Sequence, residues 1–331
     1  MIIVRTPFRV SFFGGGTDYP AWYQQHSGAV LATSIDKYCY LTCRYLPPFF
    51  EHKYRLAYSV IETVNEPHQI NHPAVKGVLN WMDWQEGLEI HHDGDLPARS
   101  GLGSSSSFTV SLINALNALK GKYISKEQLM YDAIYVEQNV VGENVGSQDQ
   151  VSAAFGGFNR IDFKTNGAIN VSPMILPHER LQELQSHMML FFTGFSRIAS
   201  EIAHSKIQNL KNRELELKTM YQMVDESIQI LVNSNTSILE FGKLLHDSWL
   251  LKRELSEKIS TPEIDAIYEA GFKSGAVGGK ILGAGGGGFL LFFVPPEHQE
   301  RVKLTLKHLI HVPFRFEDSG SKVVLYQPNG L

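Results

Sequence analysis

A proline-initiated run of small residues, Pro97-Ala98-Arg99-Ser100-Gly101-Leu102-Gly103-Ser104-Ser105-Ser106-Ser107, passes without a break into an apolar stretch from Phe108 to Leu119. No other segment limits the possible folds so sharply. Phe108, Leu112, Ala115, Leu116 and Leu119 recur at three- and four-residue steps, the stripe of a helix packed on a core. The glycines therefore stand at a helix N-terminus, where backbone N–H groups lack intrahelical partners and glycine lets them turn toward one point. With four consecutive hydroxyls beside them, the segment suits a polyphosphate and its metal. It is not a Walker A loop, because no Gly-Lys-Ser/Thr follows and Lys120 lies far down the helix. A flexible Gly/Ser linker is the plainer alternative, although a linker needs neither a proline entry nor a helix directly behind it.

The rest of the chain supplies room for that loop to be held rigidly. Its 331 residues are comfortable for two domains, each able to bury a core, and a boundary is expected near Pro173 to Pro177, where a turn-rich piece precedes a new strand. Thirty basic and thirty-four acidic residues leave a net charge of −4, so no global field favours nucleic acid or an anionic membrane, and an anionic substrate must be met locally. The longest apolar runs, such as Phe289 to Val294, fall far short of the ~20 residues of a membrane span, and Met1-Ile-Ile-Val runs into structure without a cleavable leader. A cytoplasmic protein is expected. Cys39 and Cys43, four residues apart on a strand, would lie about 13 Å from each other, beyond the ~7 Å reach of a disulfide, and read as packing residues.

Taken in order, Ile2 to Arg5 and Val10 to Phe13 read as strands on either side of Thr6-Pro7, and Ala29 to Ile35 and Lys37 to Leu46 as two more, with a turn at Asp36-Lys37. Tyr54 to Tyr58 and Glu89 to His92 flank a helix from Pro73 to Trp84. His91 and His92 are neighbours on a strand and point to opposite faces, so they cannot chelate one ion. Ser125-Lys-Glu-Gln128 is a capping box that starts a helix carrying Glu137 as far as Val141. A glycine-bounded loop, 142–150, then ends in Asp149 at the start of another helix. The second half is mostly helical, over 199–217, 218–233, 237–258 and 262–273, with a second capping box at Ser237 to Glu240 and an N-cap with a proline behind it at Thr261-Pro262. A helix over 297–309 and a terminal strand over 322–326 complete a C-terminal sheet. Thr193-Gly-Phe-Ser-Arg197 places a guanidinium at a helix N-terminus and makes Arg197 a candidate for a substrate phosphate, with a surface ion pair as the alternative.

Two further glycine-rich segments, Thr6-Pro-Phe-Arg-Val-Ser-Phe-Phe-Gly-Gly-Gly-Thr-Asp-Tyr-Pro20 and Ile281-Leu-Gly-Ala-Gly-Gly-Gly-Gly-Phe289, stand before and after the serine loop. In that order the three resemble the signature motifs of the GHMP small-molecule kinases, which include galactokinase, homoserine kinase, mevalonate kinase and phosphomevalonate kinase. The form of the first segment most resembles the D-glycero-D-manno-heptose 7-phosphate kinases, with the fucokinases close behind. The resemblance implies an α+β fold of two domains. An N-terminal ribosomal-protein-S5-like mixed sheet with helices would cover 1–175, a C-terminal ferredoxin-like α/β domain 176–331, and the active site would lie between them.

The same resemblance implies roles. Ser100, Gly101, Leu102, Gly103, Ser104, Ser105 and Ser106 would hold the phosphates of ATP, and Ser105 and Glu137 would share Mg²⁺ with phosphate oxygens, a hard-oxygen donor set. Asp149 would orient or deprotonate the acceptor hydroxyl, and Arg9 would stabilise developing charge. Gly15, Gly16, Thr17 and Asp18, together with Gly285 and Gly286 of the third segment, would face the substrate. Mevalonate-kinase-like chains place the two acids one residue closer together, which makes Glu143 a rival for the acid role. The implied partners are ATP and a sugar or sugar phosphate, with no nucleic acid and no membrane. The implied reaction is phosphorylation of the anomeric hydroxyl of a manno-heptose 7-phosphate for activated-heptose and surface-polysaccharide synthesis. An anomeric kinase for free fucose or galactose, and an inactive nucleotide- or sugar-phosphate-binding regulator, are the alternatives.

Overall fold

In the computed structural model, which describes residues 1–194 and 212–328, the N-terminal half hangs on two long antiparallel strands, β1 (Ile2–Phe13) and β2 (Gly28–Tyr45). Neither breaks where expected. β1 runs through Thr6-Pro7, and the register shifts at Pro7/Phe8, where Pro7 faces Tyr38 and Phe8 faces Ile35. Asp36 and Lys37 are therefore a bulge in β2, which accommodates the proline's missing donor within the sheet. The Asp36 N–H is taken by the Arg315 carbonyl at 2.9 Å.

The length of β2 gives it neighbours at both ends. Its last residues pair with β5 (Leu88–Gly94), and its first with β6 (Phe158–Phe163), which pairs in turn with β7 (Ile169–Pro173). β3 (Tyr54–Ala57) lies parallel to β5 and antiparallel to β4 (Ile61–Val64), so the sheet is mixed. A second, antiparallel sheet holds β8 (Met188–Phe192), β9 (Gly278–Ile281), β10 (Phe289–Phe293) and β11 (Ile310–His311) in the order β11-β8-β10-β9. The last two strands, β12 (Phe316–Glu317) and β13 (Lys322–Tyr326), return to the first sheet, against β2 and β1. The terminal strand is thus not part of the C-terminal sheet to which sequence reading assigned it.

Helices start where local chemistry marks them. α1 (Pro20–His26), not foreseen from the sequence, begins on a proline, and α2 (Pro73–Trp81) on another. α3 (Ser104–Leu119) buries Phe108, Leu112, Ala115, Leu116 and Leu119, the expected stripe. Ser125 Oγ accepts the Gln128 N–H to cap α4 (Lys126–Tyr135), which continues not as α-helix but as a π-helical turn, Val136–Val141. α5 (Gln148–Phe155) and α6 (His178–Ser186) follow. α7 (Glu214–Val232) crosses the break expected at Leu217, and the expected helix before it lies mostly outside the described residues. α8 (Leu239–Glu254) starts later than its capping box predicted, with Ser237 Oγ taking the Leu239 N–H instead. α9 (Pro262–Lys273) is capped by Thr261 Oγ1 as expected, and α10 (Gln299–Thr305) is shorter than expected.

One apolar core runs through both sheets. Phe12 and Phe13 of β1 each meet Phe241 of α8, at 5.5 and 5.0 Å between ring centres, and Phe241 meets Phe293 of β10 at 6.2 Å. This aromatic seam fixes the first glycine segment relative to the third. Cys39 and Cys43 are free and buried. His91 sits on Glu89 and His92 against the edge of Phe108, consistent with opposite faces of the strand. No helix among the described residues is long and apolar enough to cross a membrane.

Candidate active site

The three glycine segments converge on one cleft of about 250 Å³. Its floor is the serine loop at the N-terminus of α3, where Gly101 and Gly103 adopt φ of +86° and +77° and turn the chain into the helix. The loop is clamped from two sides. From β1, the Arg9 N–H donates to the Leu102 carbonyl at 3.0 Å and the Arg9 Nη1 to the Gly101 carbonyl at 2.6 Å. From the third segment, the Phe289 N–H donates to the Ser100 carbonyl at 3.0 Å, while Gly101 and Gly283 press backbone on backbone.

Charge is concentrated where the first segment meets α5. Arg9 is buried at 3% exposure, and its Nε and Nη2 lie 2.8 and 2.7 Å from Asp149 Oδ1. Asp149, in the first turn of α5, remains partly open to the cleft and lies beside Gly103. Asp18 is almost fully buried and acts as a staple. Its carboxylate accepts the Gly16 N–H at 2.9 Å and the Gln148 N–H at 3.4 Å, and its carbonyl takes the Ser147 N–H at 2.9 Å. Burial pushes the Asp18 carboxyl above the ordinary value, a shift opposed by the Gly16 hydrogen bond and reinforced by Asp149.

Behind the loop lies a second acid. Glu137, on the π-helical turn, is buried at 2% exposure, and its Oε2 accepts from Ser106 Oγ at 2.9 Å and from the Gln150 amide. Its Oε1 is buried with no hydrogen-bond partner among the described residues. Burial is the main cause that pushes this carboxyl up to about 7. A buried carboxylate with one free oxygen beside serine hydroxyls is a donor set that fits a hard divalent cation. The hydroxyl on Glu137 belongs to Ser106, whereas Ser105, one residue earlier and about 100° round the helix, is exposed.

Of the expected site residues, Arg9, Gly15, Gly16, Asp18, Gly101, Gly103, Ser104, Ser105, Ser106 and Asp149 line the cleft together. Ser100 and Leu102 lie beneath it, buried at 1% and 0% exposure. Thr17 is turned inward, its hydroxyl donating to the Gly14 and Ala29 carbonyls at 2.8 and 2.9 Å. Gly285 and Gly286 pack on Ile259, the Gly286 N–H donating to its carbonyl at 2.8 Å, and Gly283 and Ala284 reach the cleft in their place. Glu143 also lines it, its carboxyl raised by burial and lowered by Arg99. Arg197 lies outside the described residues.

Among the side chains on the cleft wall that sequence reading did not assign to the site are Lys252, Lys280, Ser11 and Gln148. Lys252 of α8 donates to the Ile281 and Gly283 carbonyls at 2.7 and 2.8 Å, and Lys280 to the Phe12 carbonyl at 2.6 Å. Both ammonium groups are buried and bring positive charge to the site from the C-terminal half. Lys252 carried no signal, being one polar residue in the middle of a helix. Ser11 and Gln148 stand inside recognised segments, but nothing in their spacing marked them as cleft residues.

The sequence and the fold resemble those of known proteins. The chain matches the model of the GHMP kinases N terminal domain over residues 56–157 and that of the GHMP kinases C terminal over 231–310. It is 31% identical to a D-glycero-alpha-D-manno-heptose 7-phosphate kinase of Campylobacter jejuni, over 97% of this chain and 98% of that protein. A galactokinase of Pyrococcus furiosus is 26% identical over 91% of each chain. Among solved structures, a D-glycero-D-manno-heptose 1-phosphate kinase from Bacteroides thetaiotaomicron superposes with a TM-score of 0.79 at 23% identity, covering 97% of this chain and 98% of that one. With both of its domain models matched in order, and a relative sharing nearly a third of its residues from end to end, the chain belongs to the GHMP kinase family, enzymes that use ATP as a substrate.

Proposed function

We propose that this chain is an ATP- and Mg²⁺-dependent sugar kinase of the cytosol, and that its acceptor is the anomeric hydroxyl of D-glycero-D-manno-heptose 7-phosphate, made for activated heptose and surface polysaccharide. The observation that carries the reading is the convergence of the Arg9–Asp149 pair on the glycine-serine loop at the start of α3. Phosphoryl transfer asks for positioning and charge neutralisation more than for covalent help, and the cleft offers both. The loop N–H groups and the hydroxyls of Ser104 and Ser105 bind the phosphates, while the Ser106 hydroxyl, donated to Glu137, contributes its oxygen on the cation side. Arg9, Lys252 and Lys280 supply positive charge around the phosphates.

Asp149 accepts a hydrogen bond from the acceptor hydroxyl and orients it, held in place by Arg9. The acceptor oxygen forms its bond to the terminal phosphorus as the bond to ADP breaks, and the hydroxyl proton leaves on the Asp149 side. Glu137, with the serine hydroxyls of the loop, would hold Mg²⁺, which when bound neutralises phosphate charge. The identity of the sugar follows the Campylobacter jejuni relative. Arg197 is assigned the 7-phosphate on sequence grounds, so Arg197→Ala should raise KM for a sugar phosphate and leave that for ATP unchanged.

The test is a panel of free and phosphorylated sugars with Mg-ATP, following ADP release and the position of the new phosphate. The heptose 7-phosphate should be turned over fastest, and at O1. Preference for free galactose or fucose would move the assignment to those sugars, and ADP release with none of them would refute the sugar-kinase reading.

A further inference from the structure

One wall of the cleft carries two polar side chains that the protein itself does not satisfy. Ser11 Oγ and Gln148 Oε1 are buried and have no hydrogen-bond partner among the described residues, and both residues line the cleft. They flank one backbone position. A Cβ added to Gly15 would meet Ser11 Oγ and Gln148 Nε2 at 3.8 Å each, ordinary contact distance, so this glycine of the cleft sits between a hydroxyl and an amide. Both are tied to the reacting end of the site. Gln148 directly precedes Asp149, and Ser11 stands two residues after Arg9 on β1, on the same face of the strand.

Buried polar atoms without partners are uncommon in folded proteins because desolvating them is costly. Here they belong to residues that line the cleft, next to the carboxylate proposed to address the acceptor. We propose that Ser11 and Gln148 determine acceptor specificity by pairing with ring hydroxyls adjacent to the one that is phosphorylated. The inference rests on the sugar-kinase reading and adds to it the residues that select among the acceptor's hydroxyls. A serine hydroxyl and a glutamine amide can each donate and accept, which matches neighbouring alcohols. An acceptor with hydrocarbon at those positions would leave both groups buried and unpaired, and sites of this kind discriminate steeply against such analogues.

The test compares wild type, Ser11→Ala and Gln148→Met with the best acceptor of the panel and with its monodeoxy analogues, alongside separate measurement of ATP affinity. In wild type, at least two deoxy positions should each lower kcat/KM about tenfold, the equivalent of one hydrogen bond. Each variant should lose about tenfold on the full acceptor, lose little more on the analogue lacking its partner hydroxyl, and bind ATP as wild type does. Equal losses on every analogue, or an equal loss of ATP affinity, would overturn the assignment. The wild-type deoxy series stands even if a variant folds poorly, and a flat series would also overturn it. Turnover of no sugar by wild type would sink the sugar-kinase reading and this inference together. Unchanged selectivity in folded variants would sink this inference alone.

Discussion

The glycines in front of the cleft and those behind it look alike in sequence and serve opposite physical ends. Gly15 lines the cleft and has room for a side chain, an added Cβ meeting nothing nearer than 3.8 Å, an ordinary contact. Gly288, at φ +92°, has the Ser100 carbonyl oxygen 2.2 Å from that position. The first glycine leaves room for a ligand, and the second lets two backbones press together so that the third segment braces the serine loop. A glycine-rich signature is therefore two devices, one for access and one for rigidity. Gly288 is not among the residues that line the cleft.

The largest effect should come from the brace. Gly288→Ala places a methyl group inside the backbone contact in a conformation hostile to L-residues and should destabilise the fold by more than about 4 kcal/mol. Urea unfolding that showed a loss under about 1 kcal/mol would break the comparison. On the access side, Asp149→Asn should lower kcat by about 10²- to 10⁴-fold while retaining nucleotide binding, with a lower melting temperature because buried Arg9 loses its counter-charge. Turnover like that of wild type would remove Asp149 from the reaction.

Glu137 gives a pH signature for the region behind the loop. Its carboxyl is raised from the ordinary 4.5 to about 7 in the folded chain, chiefly by burial. Between those values the folded state holds a proton that the unfolded state has released. Stability of the metal-free protein should therefore fall as pH rises from about 4.5 through about 7, by on the order of 3 kcal/mol. Glu137→Gln should flatten that slope, and Mg²⁺ should stabilise wild type more at pH 8 than at pH 5. A slope that survives the substitution would assign the titration elsewhere. The smallest effect belongs to Gly15→Ala, which should change stability by no more than about 0.5 kcal/mol and raise the acceptor KM more than that for ATP. A matching rise in both would place the acceptor away from Gly15.

How much of this was legible in the sequence depended on distance along the chain. The caps at Ser125 and Thr261 were readable because a cap is a bond to a residue three positions on. The buried stripe of α3 was readable because periodicity is local. Pro7 misled because a proline alone argues for a break, and its tolerance depends on a bulge at Asp36 and Lys37 in the partner strand. The home of β13 was not readable, since its partner is the first strand of the chain. Within the site, Arg9, Gly103 and Asp149 belong to segments that carry a recognisable pattern, and the fold brings them into contact. Thr17, Gly285 and Gly286 belong to the same patterns and turn away from the cleft.

The linear order of residues was enough to place a glycine-serine loop at a helix start and an acid at the start of a later helix, and to point to the family to which both belong, since each is written in neighbouring positions. Only the tertiary structure decided that Ser106 rather than Ser105 meets Glu137, that Lys252 and Lys280 charge the cleft from the far half, and that Ser11 and Gln148 are left unpaired within it. The physical reason is that burial and hydrogen-bond satisfaction belong to three-dimensional neighbourhoods. Whether a side chain finds a partner is settled by residues about thirty to more than two hundred positions away.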